Sequence, residues 1–346
     1  MKKLGVLFLT ISLLCMMLVS GQANGVVRVY NWEDYISPES LELFEEETGI
    51  KVDYMRFTTN EDMMVQVRTS PGAFDIVFPS DYCVERLISE DLLEELDYSK
   101  IPNAEHISDW LQDPAYDPKG VHSVPYMWGT VGILYDKTRV NGPIDSWGVL
   151  FSDEYAGEVF MLDSIRDTMG LALQYLGYSL NTREPNELMK ATKLLIEQKK
   201  NRIVKAYQVD ETKDKMVAGE AILAVMWSGD AQYSISLNDN LAYSVPKEGS
   251  NVWVDCFIIP KSSENKENAY KFIDFMCRPE IAQINCEYIE YSSPNDAAIE
   301  LMGDEYINNP TINPPQEVID RCEFFHDIND FLPTYNTLWA QVKNAK

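Results

Sequence analysis

Short apolar runs alternate with amphipathic stretches along almost the whole chain, which is the pattern of strands alternating with helices. Residues 26–30 read as a strand. Residues 38–48 then place Leu41 and Phe44 on one helical face, with Ser37-Pro38 as N-cap and first helical position and Gly49 as the stop. Residues 50–57 read as the next strand and 61–69 as a helix. Phe74-Asp75-Ile76-Val77-Phe78 is a buried strand ending in the loop Pro79-Ser80-Asp81-Tyr82, and 84–96 is a helix. A second series predicts strands over 131–135, 159–162, 221–226 and 253–259, and helices over 168–176, 186–198 and 267–276, with Arg278-Pro279 as a turn. Such alternation predicts an α/β fold with largely parallel sheets. A chain of 346 residues exceeds one ordinary core and divides into two domains, with no repeat or low-complexity linker between the halves.

Ligands of α/β sheets bind beyond the carboxyl ends of strands, and those ends share one composition here. Trp32-Glu33-Asp34-Tyr35, Ser80-Asp81-Tyr82, Asp163-Ser164-Ile165-Arg166-Asp167, Trp227-Ser228-Gly229-Asp230 and Trp253-Val254-Asp255 each combine an acid with aromatic or small polar residues. Any one of them has an ordinary explanation, since a strand-end tryptophan packs against a core and an aspartate before a helix caps it. Their recurrence in both halves points to a ligand that is a cation. Carboxylates form charge-assisted hydrogen bonds with an ammonium, and aromatic faces replace its hydration at roughly 0.5 to 2 kcal/mol each. Methylenes between two ammoniums would bury against tryptophan at about 0.8 kcal/mol per CH2, so the set fits a linear polyamine.

Lys2-Lys3 followed by an apolar run over residues 4–19 and small residues at Ser20-Gly21-Gln22-Ala23 reads as a signal peptide spanning 1–23. Cys15 near the end of that run is a candidate for lipid anchoring. Loss of the two leader lysines takes the formal charge from −26 to −28. That balance argues against nucleic-acid binding, which needs clustered Lys and Arg, and favours small cations over anions. Cys83, Cys256, Cys277, Cys286 and Cys322 are an odd set without a C-x-x-C pair, leaving room for one disulfide at most as a structural element. His106, His122 and His326 lie in no metal-binding spacing, and no metal or cofactor is expected.

The chain has no G-x-S-x-G elbow, H-E-x-x-H, P-loop or dinucleotide glycine fingerprint. Paired acids with aromatic platforms also fit a glycosidase. Here the acids are spread over several short turns, which favours a binding protein over an enzyme.

Taken in order, several blocks resemble the polyamine-binding receptors of bacterial ABC importers, both the spermidine/putrescine receptor and its putrescine-specific relative. They are Val29-Tyr30-Asn31-Trp32 with Tyr35, Phe74-Asp75-Ile76-Val77 with Pro79-Ser80-Asp81-Tyr82, Leu162-Asp163-Ser164, Trp227-Ser228-Gly229-Asp230, Trp253-Val254-Asp255, Arg278-Pro279-Glu280 and Tyr291-Ser292-Ser293-Pro294-Asn295. The resemblance implies a two-lobed periplasmic-binding-protein fold of type II, with lobe 1 over 24–132 and 254–299 and lobe 2 over 133–253 and 300–346. It implies a ligand cleft lined by Trp32, Asp34, Tyr35, Ser80 and Tyr82, with Asp167 and Asp255 gripping amines and Trp227, Trp253 and Tyr291 as aromatic walls. Asp230 matches a carboxylate of the putrescine-specific relative. Ser164 stands where the spermidine receptor has an acid, and Phe325 where it has a glutamine, so putrescine is expected over spermidine. A membrane ABC permease as partner, a periplasmic or other extracytoplasmic location and a monomeric state follow from the same resemblance.

Overall fold

The computed structural model describes residues 25–33 and 35–346. The expected leader, with Cys15, and the site candidate Asp34 lie outside the described residues. The first half contains β1 (Val26–Trp32), α1 (Pro38–Thr48), β2 (Lys51–Phe57), α2 (Asn60–Thr69), β3 (Ile76–Val77), α3 (Asp81–Ser89) and β4 (Ser123–Asp136). There follow β5 (Val159–Leu162), α4 (Ile165–Tyr175), α5 (Pro185–Lys200), β6 (Val204–Gln208), α6 (Glu211–Val217), β7 (Leu223–Trp227), α7 (Ser228–Leu237), β8 (Leu241–Ser244) and β9 (Val252–Ile258). The chain closes with α8 (Lys266–Met276), α9 (Pro279–Ile289), α10 (Asp296–Ile307), α11 (Gln316–Ile319) and α12 (Leu332–Asn344).

Local chemistry explains the first units. Pro38 opens α1 because its missing N–H is unneeded in a first turn, and Gly49 ends it at φ 68°, a left-handed position that costs glycine little. Ser37 does not cap with its side chain; its backbone N–H instead donates to Asn285 Oδ1 at 2.9 Å. Thr59 does cap α2, accepting from Asp62 N at 3.1 Å.

The strands form one sheet in the order β2-β1-β3-β9-β4-β7-β5-β6, with β8 also on β4. Its flanks are parallel, β2-β1-β3 on one side and β7-β5-β6 on the other. The centre is antiparallel, contrary to the expected largely parallel arrangement. The reason is the path of the chain. The 14-residue β4 runs out of one half into the other and β9 returns in the opposite direction beside it. Only 131–135 of β4 had been legible as strand, because Pro125 and a register shift between Pro125 and Met127 break the pattern before it.

Two lobes follow from the cores. One is built on Val27, Val29, Phe44, Ile76, Phe78, Trp128, Val254, Phe257 and Phe272. The other has Val131, Trp147, Val159, Leu173, Leu195, Val225, Tyr335 and Trp339, with a second layer around Leu134, Phe160 and Met226. Trp128 and Val131 belong to different cores, so β4 changes lobe between them. The chain returns at 250–252 and crosses again after Phe324, which packs on the first core, to reach Ile328 in the second. The second and third crossings are tied together: Val252 N donates to Glu323 O at 3.1 Å and Glu323 N to Ser250 O at 2.9 Å. Residues 300–346 had been expected wholly in lobe 2. Met302, Tyr306, Ile319, Cys322 and Phe324 pack on the first core instead, since α10 folds back on α9, and only the segment from about Ile328 joins the second.

Candidate functional site

The cleft begins with a loop laid on β9. Cys256 N donates to Pro79 O at 3.0 Å and Val254 N to Asp81 Oδ2 at 3.4 Å, which aligns Ser80 with Asp255. Ser80 Oγ then donates to Asp255 Oδ1 at 2.6 Å. Asn60, at the start of α2, donates from Nδ2 to both Ser80 Oγ at 3.0 Å and Tyr82 Oη at 3.1 Å. Tyr82 lies in the first turn of α3, which starts at Asp81 rather than at the expected residue 84 and ends at Ser89 rather than 96.

Asp255 is 6% exposed, and burial lifts its carboxyl to about 6 despite the hydrogen bond from Ser80. Tyr35, whose carbonyl accepts from Tyr126 Oη at 2.9 Å, turns its ring into the same space. Its buried hydroxyl faces the Asp255 carboxylate and, together with Ser80, opposes the rise that burial imposes on that carboxyl. Trp253 Nε1 is buried and unpartnered. Tyr291 links the two rings, with centroids 6.0 Å from Tyr35 and 5.1 Å from Trp253. It is delivered there by a left-handed turn at Glu290, φ 62°, that ends α9. An orphaned indole N–H among aromatic rings beside a buried carboxylate is what a site built to receive a polar ligand leaves behind.

Lobe 2 closes the cage from the other side. The N-terminus of α7 comes so close that a Cβ on Gly229 would stand 2.5 Å from the Tyr291 ring, and one on Gly129 of β4 would stand 2.7 Å from Ser228 Oγ and from the Trp253 ring. Asp230, one residue on, faces Tyr291 and forms an ion pair with Lys213 Nζ at 3.2 Å. At the start of α4, Ser164 and Asp167 hydrogen-bond each other, and Asp167 is 8% exposed with its carboxyl raised by burial.

Between Asp167 and lobe 1 lies a buried Arg166. Its Nη2 donates to Asn181 Oδ1 at 2.9 Å and its Nη1 to the His326 carbonyl at 3.2 Å, while Nε has no partner. The guanidinium carbon stands 4.2 Å from the Phe325 ring centre, 5.7 Å from that of Tyr82 and 5.8 Å from that of Tyr335. Asp81, fully buried with its carboxyl pushed well above the usual carboxylate range by desolvation, is held between Asp255 and this cation.

The structure therefore gathers Tyr35, Ser80, Tyr82, Asp230, Trp253, Asp255 and Tyr291 around one space, with Ser164 and Asp167 at its lobe 2 end. The Trp32 indole N–H donates to Phe78 O at 2.9 Å and its ring packs 4.5 Å from Phe57, and Trp227 packs against the second core. Asn60, Asp81, Arg166 and Lys213 were absent from the expected set. The pairs that reveal them join distant parts of the chain, and only Asp81 and Arg166 lay inside a motif singled out from sequence.

The remaining chemistry is sparse. Cys83, Cys256, Cys277, Cys286 and Cys322 are free thiols. His122 and His326 each pair one ring nitrogen with a carboxylate, of Asp117 and Glu85 respectively, at 3.2 Å. Among the described residues no cluster of His, Cys, Asp and Glu is arranged to hold a metal, and no helix is long and apolar enough to cross a membrane.

A model of the family described as bacterial extracellular solute-binding protein matches residues 39–314. The chain is 33% identical to the spermidine/putrescine-binding periplasmic protein of Salmonella typhimurium over 325 residues, 93% of each chain. It is 32% identical to the putrescine-binding periplasmic protein SpuD of Pseudomonas aeruginosa, covering all of both. Among solved structures, a putative spermidine/putrescine ABC transporter protein from Listeria monocytogenes superposes with a TM-score of 0.87 at 38% identity, covering 93% of this chain and 99% of that one. The spermidine/putrescine ABC transporter substrate-binding protein PotD of Streptococcus pneumoniae gives 0.83 at 38% identity, covering 92% and 98%.

Proposed function

The chain belongs to the bacterial extracellular solute-binding proteins, and we propose that within this family it captures polyamines, putrescine ahead of spermidine, and delivers them to the permease of an ABC importer. The observation that carries the reading is the cluster of Tyr35, Trp253 and Tyr291 rings beside the buried Asp255 carboxylate, with the Tyr35 hydroxyl directed at that acid and the Trp253 indole N–H left without a partner. An ammonium beside Asp255 gains charge-assisted hydrogen bonds to Asp255 and the Tyr35 hydroxyl, and its methylenes pack on the rings.

The protein works without catalysis in this reading. Tyr35 and Asp255 belong to lobe 1 and Ser164 and Asp167 to lobe 2, so one ligand touches both lobes only when they approach. Binding energy thereby selects the closed arrangement, which is the form a permease would read. The relatives' periplasmic setting supports an extracytoplasmic receptor, acting as a monomer, with Cys15 as a candidate lipid anchor.

Preference for the shorter diamine rests on Asp230 facing Tyr291 and on Ser164, which offers no charge where a third ammonium would need one. Native mass spectrometry of the protein purified without added ligand tests the class directly. A retained mass of putrescine is expected, and retention of a sugar or an amino acid instead would overturn it.

A further inference from the structure

We propose that Lys213 governs which polyamine is preferred: its ammonium is a built-in occupant of the Asp230 carboxylate and so withholds from the ligand the lobe 2 acid that a third ammonium would need. The inference deepens, and rests on, the polyamine reading above.

Four acids converge on the cleft: Asp81, Asp167, Asp230 and Asp255. Three are less than a tenth exposed, and the Asp230 side chain is 19% exposed. Two protein cations are already among them. Arg166 is buried between the rings of Phe325 and Tyr82 with Asp81 and Asp167 facing it. Lys213, in the first turn of α6, holds its Nζ 3.2 Å from Asp230 Oδ1 and 5.7 Å from the centre of the Tyr233 ring. It thus meets a carboxylate and an aromatic face, the same recognition elements that the cage offers a ligand amine. Asp255 has no cationic partner among the described residues.

Asp81 and Asp167 face Arg166 and Asp230 is paired with Lys213, so the first ammoniums of a ligand draw on Asp255, the acid of the four without a protein cation. A third would enter a desolvated cleft without a counter-charge, while the acid best placed to serve it is held by Lys213. Asp210 and Glu290 also face Lys213; Asp210 is exposed and screened by solvent, whereas Glu290 keeps one carboxylate oxygen buried without a hydrogen-bond partner and shares the Lys213 charge. Nothing in the local sequence marks Lys213 as part of the site; it reaches Asp230 from α6, which packs against α7.

The test is the ratio of putrescine to spermidine affinity, measured by calorimetry on polyamine-stripped protein. Lys213→Met should shift that ratio toward spermidine by about tenfold, and Lys213→Arg should keep the original ratio. Lys213→Gln, which keeps a donor for Asp230 without the charge, should shift it as Lys213→Met does and guards against misfolding of the apolar variant. In an Asp230→Asn background, Lys213→Met should leave the ratio unmoved, because Lys213 acts through that carboxylate. Unchanged ratios in folded Lys213→Met and Lys213→Gln would overturn the inference while leaving the receptor reading intact. Failure of the unmodified protein to bind either polyamine would overturn both.

Discussion

Ser80 Oγ and Asp255 Oδ1 lie 2.6 Å apart across 175 residues of sequence, joining the loop before α3 to the returning strand β9. The hydroxyl supplies one hydrogen bond to a carboxylate that is otherwise surrounded by aromatic rings, so the acid is oriented but not neutralised. Asp255→Asn should therefore weaken polyamine binding by about 2 to 5 kcal/mol, the usual cost of removing one partner of a desolvated charge pair. Calorimetry combined with a melting curve checks this. The melting temperature should hold or rise, because the variant removes a buried charge rather than a structural ion pair.

The elevated Asp255 carboxyl, about 6 against an ordinary 3.8, predicts opposite pH dependences for folding and for binding. Between those values the folded apo protein holds a proton that the unfolded chain has lost. Its contribution to stability is therefore full below pH 3.8 and declines as pH rises through about 6. An ammonium ligand needs the ionised acid, so affinity should fall about tenfold per pH unit below that point. Titrations near pH 5 and pH 7.5 in buffers of differing ionisation enthalpy would reveal proton release near pH 6. A flat profile would mean that Asp255 is already ionised in the free protein.

Trp253→Ala should cost roughly 1 to 3 kcal/mol of affinity through lost methylene burial and lost cation–π attraction, with little change in melting temperature. Trp32→Ala should behave differently, since its indole bonds the Phe78 carbonyl and packs at a tilt on Phe57 within lobe 1. A drop in melting temperature is expected there alongside weaker binding. Equal losses of affinity with no stability change in Trp32→Ala would return that residue to the cage.

Gly229→Ala tests closure itself. Its new methyl would overlap the Tyr291 ring at 2.5 Å, a contact between lobes rather than within one. The free protein should melt normally, while affinity falls and small-angle scattering with saturating ligand shows a more open shape than for the unmodified chain. Affinity equal to wild type would show that Tyr291 can step aside.

The cleft residues were legible where chemistry is local to a strand end. Ser80, Tyr82 and Asp255 flank short apolar strands, and an acid beside an aromatic is visible in the sequence without knowing what it faces. Asn60 and Lys213 were not legible because each lies in the first turn of an otherwise ordinary amphipathic helix and acquires its role from a partner 17 or more positions away. The α/β class followed from alternation of periods, but the antiparallel centre did not. Strand direction there depends on the chain changing lobes along β4, and hydrophobic pattern carries no sign of direction. The boundary after residue 299 was displaced for a similar reason: α10 packs on α9 through Met302 and Tyr306, and an amphipathic helix does not announce which core its apolar face will meet.

The most direct measurement of the central claim is a calorimetric titration of polyamine-stripped protein with putrescine, repeated in competition with spermidine. Saturable binding at one ligand per chain, tighter for putrescine by about tenfold and lost in Asp255→Asn, is the predicted result. The absence of binding by either polyamine, or equal binding by the Asp255→Asn protein, would contradict the account.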